Sequence, residues 1–170
     1  NILGHCNKKL VKVLTEQAKN LWHTSNLYRV ENQEKLAKLL VEHTFADRVF
    51  FTNSGTEAIE CAIKMARVYH SKLNQERYEI ISFDGCFHGR SMAAISTSNS
   101  DKMKEGFGPL IPGCKSLGFN DRNALCQNIT NKTAAVIIEP IQGEGGIRSF
   151  SLEILKLIRS LCDDTGALLI

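Results

Sequence analysis

Residues 50–67 read FFTNSGTEAIECAIKMAR, and this stretch decides the fold class. Val49, Phe50 and Phe51 form a short apolar run closed by polar residues, which predicts a β-strand. Ala58, Ile59, Ala62, Ile63 and Ala66 recur at three- and four-residue intervals, which predicts a helix with one apolar face. Between the two lies Asn53-Ser54-Gly55-Thr56-Glu57. Ser54 and Glu57 have the spacing of a capping box, with Ser54 as N-cap and Glu57 as its N3 partner. Glu60 and Lys64 are spaced and ordered for an i,i+4 ion pair. A strand, a turn of small residues and a capped helix leave backbone N–H groups free at the positive end of a helix dipole, which is an anion site. Gly55 lets a ligand approach the backbone and Thr56 adds a hydroxyl donor. The same residues also describe an ordinary, well-capped strand-to-helix turn, and the local pattern leaves both readings open.

Outward from this centre, 170 residues suffice for one domain with a real core. An apolar content of 43% with 23% charged residues is the balance of a soluble globular protein. The formal charge of +3 is spread along the chain, so no nucleic-acid partner is expected. No apolar run approaches the ~20 residues of a membrane span, and no signal-peptide pattern opens the chain. The six cysteines form no CxxC pair and read as reduced thiols of a cytoplasmic protein. The five histidines show neither HxxxH nor HExxH spacing, and no metal site is expected. Asn1-Ile2-Leu3-Gly4 starts without a cap, and Ala167–Ile170 reads as a strand that stops without a turn, so the chain is expected to be part of a longer one.

In chain order, apolar spacing predicts one helix over about Lys8–Trp22 and a second over Asn32–His43, with His43 on the buried face. Glu79–Phe83 (EIISF) predicts a strand, Ser91–Ser98 a short helix and Lys115–Phe119 a weak strand. Asp121 is the expected cap of a helix running to Ile129. Ala134–Glu139 (AAVIIE) predicts a buried parallel strand ending in a carboxylate, stopped by Pro140. Ser151 caps a last helix with Leu152, Leu155, Ile158, Leu161 and Cys162 on its apolar stripe, and Gly166 fits its stop. Two helices followed by strand–helix alternation predict an α/β fold whose ligands bind at strand-end loops.

Two such loops hold chemistry. After Phe83 comes Asp84-Gly85-Cys86-Phe87-His88-Gly89-Arg90, where an aromatic and a guanidinium can stack on a ring and fork onto a carboxylate. A plain turn with Phe87 tucked into the core fits as well. Gln142-Gly143-Glu144-Gly145-Gly146 brings backbone close to a neighbour but lacks the Gly-Lys-Ser/Thr of a phosphate-binding P-loop. Glu144 there is either a solvated loop carboxylate or a group that gates a substrate.

Taken together, Asn53-Ser54-Gly55-Thr56-Glu57-Ala58, Phe87-His88-Gly89-Arg90 and Glu139-Pro140-Ile141-Gln142-Gly143-Glu144-Gly145-Gly146 resemble the class III (ornithine-type) aminotransferases, which are pyridoxal-phosphate enzymes. Leu21-Trp22-His23-Thr24-Ser25-Asn26 and Phe45-Ala46-Asp47 add to the likeness, which covers essentially the whole chain and is nearest in the branch that uses N2-acetylornithine. The chain departs from the family at Asn7-Lys8, where His-Pro is usual, at Arg29-Val30-Glu31-Asn32, and at Ile59, often Asn.

The resemblance implies a fold-type I cofactor domain, with residues 1–45 as an N-terminal helical segment and 46–170 as the first half of the large domain. It implies pyridoxal 5′-phosphate as cofactor. Gly55 and Thr56 would hold its phosphate and Phe87 would stack on its ring. Arg90 matches the position that binds the substrate's α-carboxylate, and Glu144 the glutamate at the substrate entrance. The implied reaction moves the terminal amino group of N2-acetylornithine to 2-oxoglutarate, in a homodimer with sites at the interface. The family's Schiff-base lysine, and the Asp that pairs with the pyridine nitrogen, fall beyond Ile170, so this span alone is expected to be inactive. Transfer from ornithine, succinylornithine or 4-aminobutyrate, or a binding domain without catalysis, remain alternatives at this level.

Overall fold

The computed structural model describes residues 2–170 and divides into two compact units, with the boundary between Phe50 and Phe51. The first unit holds α1 (Lys8–Ala18) and α2 (Glu31–His43). Asn7 caps α1 by accepting from the Lys9 N–H at 3.1 Å. This helix ends four residues before the predicted Trp22, whose indole N–H instead closes onto the Ala18 carbonyl at 2.7 Å. Neither helix has a buried residue, and the expected core position of His43 is exposed.

The second unit is a parallel sheet between two layers of helix. Its elements are α3 (Gly55–Lys72), β1 (Glu79–Phe83), α4 (Met92–Thr97), α5 (Asp101–Lys104), β2 (Cys114–Leu117), α6 (Arg122–Asn128), β3 (Thr133–Val136), β4 (Ile141–Gln142), β5 (Arg148–Ser149), α7 (Leu152–Thr165) and β6 (Leu168–Leu169). Sheet order is β2-β1-β3-β6, parallel throughout, and β4–β5 is a separate antiparallel pair.

Side-chain alternation along β1 splits the core. Ile81 and Phe83 face a cluster that includes Leu125 of α6 and Ile154, Ile158 and Cys162 of α7. Ile80 faces Ile63 and Ala66 of α3 and Ala93 of α4. Small residues on β3, Ala134 and Ala135, belong to this second cluster, where the buried His70 ring of α3 hydrogen-bonds the Ala134 carbonyl at 3.0 Å. Helices on both faces are what buries an all-parallel sheet.

Several expectations need correction. Val49–Phe51 forms no strand: no ladder partner meets it among the described residues, and Phe50 is exposed. Apolar residues make a strand only where another strand supplies the hydrogen bonds. Glu60 does not pair with Lys64 but accepts from the Ala93 N–H at 3.1 Å, tying α3 to the start of α4. On α7 the buried face carries Ile154, Ile158 and Cys162, while Leu152 in the first turn is exposed. Ala134–Glu139 is ladder-paired as β3 only to Val136, although single bonds continue from Ile137 N–H to Ile81 and from Ile138 N–H to Ile170.

Candidate active site at the strand ends

The parallel strands end together, and α3 begins beside them. Ser54 is the N-cap of α3, accepting from the Glu57 N–H at 3.3 Å. The capping box is not reciprocal in the expected way. Glu57 reaches one residue further back, accepting from the Asn53 backbone N–H at 2.8 Å and from its side chain at 3.1 Å. These bonds tie Asn53-Ser54 to the first turn of α3. Among the described residues no acceptor meets the N–H groups of Gly55 or Thr56.

These groups front a cavity of about 560 Å³ lined by Ser54–Thr56, Ala58, Ile59, Phe87–Gly89, Ile137–Glu139 and Ile170. A Cβ built on Gly55 meets nothing within 4 Å, so the backbone there faces open space. Gly89, at φ +116°, is the opposite case: a Cβ would lie 2.2 Å from the Thr56 hydroxyl. Only glycine lets the Phe87–Arg90 loop come this close to the start of α3.

Phe87 lines the cavity and is 39% exposed, so it is not a core residue. Its N–H donates to the Glu139 carboxylate at 2.8 Å, joining the end of β1 to the segment after β3. His88 is buried on the same wall, and its Nε2 has no hydrogen-bond partner among the described residues. Burial lowers the His88 pKa below its ordinary value, with the Glu139 charge opposing, so the imidazole is neutral at pH 7. Burial raises the neighbouring Cys86 thiol, which therefore stays protonated.

Three of the five residues singled out from sequence, Gly55, Thr56 and Phe87, thus come together on one cavity. Arg90 does not line it. It borders a second cavity of about 480 Å³ with Ser91, Met92, Ile95, Lys102, Met103 and Phe107. Glu144 lies exposed on the turn between β4 and β5 and lines neither. Glu139 and His88 also line the first cavity, beyond the residues expected from the sequence. A carboxylate directly after an apolar run, at the carboxyl end of a parallel strand, was the available signal for Glu139.

A ring-bearing phosphate fits this arrangement. The anion would meet the free N–H groups and hydroxyl at the start of α3, the ring would lie against Phe87, and the unpartnered His88 nitrogen marks a polar spot on the wall.

The family model for class-III aminotransferases matches residues 1–170. The acetylornithine aminotransferase of Agrobacterium fabrum is 56% identical over 100% of this chain, and that of Rhodobacter capsulatus 55%. The chain spans 43% and 44% of the length of these two relatives. Among solved structures, an ornithine aminotransferase of Toxoplasma gondii, described with partial occupancy of PLP at its active site, superposes with a TM-score of 0.90. The two share 30% identity over 98% of this chain and 40% of that one. A PLP-bound amine transaminase from an uncultivated Pseudomonas species gives 0.86 at 25% identity, over 98% of this chain and 44% of that one.

Proposed function

Because this chain belongs to the class-III aminotransferase family, we propose that it is the part of a pyridoxal-phosphate aminotransferase that grips the cofactor. In the whole enzyme the terminal amino group of N2-acetylornithine would pass to 2-oxoglutarate. The observation that carries this reading is the convergence of Gly55, Thr56 and Phe87 on one cavity at the strand ends. The relatives' shared name favours the acetylated substrate over ornithine, since the ornithine aminotransferase match is at 30% identity and theirs at 55–56%.

When bound, pyridoxal phosphate supplies an electron sink for the carbon that loses or gains the amine. This chain's own residues bind and orient. The start of α3 would donate backbone N–H groups and the Thr56 hydroxyl to the phosphate. Phe87 would cover one ring face and keep water from it. Glu139 holds Phe87 in place through its backbone N–H. Arg90, in the adjoining cavity, would take the donor's α-carboxylate with two parallel N–H bonds, and Glu144 would stand at the substrate entrance. The lysine that reacts with the cofactor would come from outside this span, so 46–170 is read as the first half of the large domain and 1–45 as the helical segment preceding it. We take the whole enzyme to be a homodimer with sites at its interface. Its free thiols favour the cytoplasm.

The test is the full-length protein assayed for glutamate formed from 2-oxoglutarate with acetylornithine, succinylornithine, ornithine and 4-aminobutyrate in turn. The expected result is the highest kcat/KM with acetylornithine. Phe87→Ala is expected to change the bound cofactor's absorbance and weaken its retention by ~1–3 kcal/mol. No glutamate from any donor would favour a binding domain without catalysis.

A further inference from the structure

We propose that Arg148 is a positioning residue that locks the turn bearing Glu144 to the loop bearing Phe87. The proposal rests on reading Glu144 as the carboxylate at the substrate entrance.

Arg148 and Gln142 face each other across the β4–β5 pair, and the turn between them is residues 143–147. Arg148 Nη2 donates to the Asp84 carbonyl at 2.9 Å and to the Gln142 side-chain oxygen at 2.8 Å. Gln142, fully buried, donates its own amide N–H to the same Asp84 carbonyl at 2.9 Å. The three groups form a closed triangle that fills both lone pairs of that carbonyl. The guanidinium also lies 4.3 Å from the centre of the Phe119 ring. Arg148 forms no ion pair among the described residues, so its charge is turned toward backbone and ring and not toward a carboxylate.

Two further observations show how tightly the turn is held. A Cβ on Gly85 would come 2.2 Å from Arg148 Nη2, and one on Gly145 would come 2.4 Å from the Gly85 carbonyl oxygen. The turn residue next to Glu144 therefore lies directly against the loop that leads into Phe87. Ile147, exposed and β-branched, nonetheless sits at φ +53°. A β-branched residue enters the left-handed region only where its surroundings over-determine the backbone. Burial does not compensate it here; the anchored ends of the turn do.

Released from Arg148, Glu144 would no longer be held at a fixed distance from the cofactor cavity. An anion there attracts the donor's ammonium group and repels the doubly charged 2-oxo acid, so the two substrates should respond unequally. In the full-length holoenzyme, Arg148→Met is expected to raise the KM for acetylornithine about fivefold, with KM for 2-oxoglutarate and kcat within about twofold. Arg148→Lys, which keeps charge but not the flat stacking, should fall about midway. In a Glu144→Ala background the Arg148→Met effect should vanish, since the two act in series. A merely structural role would lower the active fraction and leave both KM values unchanged, and that result overturns the proposal. So does an equal rise in both. A Glu144→Ala variant with parental KM values overturns it by a different route, because the reading of Glu144 itself has then failed. If Arg148→Met does not accumulate in folded form, Arg148→Lys with parental KM values overturns it alone.

Discussion

The guanidinium of Arg90 is exposed, forms no ion pair among the described residues, and borders a cavity beside the one that Phe87 lines. A fork of two N–H donors matches a carboxylate, whereas a lysine offers one point charge. Arg90→Lys in the full-length enzyme is therefore expected to raise the KM for the amino donor about tenfold, ~1.5–3 kcal/mol, with cofactor affinity unchanged. Steady-state kinetics beside a cofactor titration checks this, and parental kinetics would make Arg90 an ordinary surface residue. At this scale the sequence was legible wherever chemistry is local. Ser54, Asp121 and Ser151 all cap the helices expected of them, and Gly166 takes the left-handed stop at φ +77°. It was silent where the candidate site is built by distant contact: Glu139 meets the Phe87 N–H across 52 positions, and no local spacing encodes that.

The contact between α3 and the Phe87–Arg90 loop is an element-scale fit that depends on the absence of one carbon. Gly89→Ala would push a methyl group against the Thr56 side chain and force φ +116° on a residue with a Cβ. We expect a loss of ~2–3 kcal/mol in urea unfolding of the full-length protein, together with weaker cofactor retention. An unchanged midpoint and affinity would mean that the loop can withdraw at no cost. Elements whose signal is intrinsic form as the sequence predicts: Glu79–Phe83 appears as β1 with the expected bounds, and α3 follows its apolar period. The strand expected at Val49–Phe51 failed because a strand is a relation between two segments. The exposure of Leu152 shows the related limit for helices: an apolar residue in the first turn lies on the stripe and still need not reach the core.

At the scale of the molecule, α/β alternation was legible, but sheet order was not. Nothing in EIISF says that its neighbours are β2 on one side and β3 on the other. That order is set by which helices can cover which face. Ile158 lies where α7 meets the sheet and is 0% exposed. Ile158→Ala should cost about 2–5 kcal/mol by leaving a cavity that a close-packed layer cannot collapse. A chemical denaturation curve measures it, and a loss under about 1 kcal/mol would show that the layer repacks. The central position of β1 also bears on the chain's history at the ribosome. Ile81 pairs with Lys115 and Val136, both made after it. At about 5–20 residues per second, this apolar strand waits some seconds with both edges bare. During that interval the bare edges of EIISF are open to a strand of another nascent chain. The parallel sheet that gathers the site at one end thus also makes synthesis the period in which the protein is most open to aggregation and to chaperone capture.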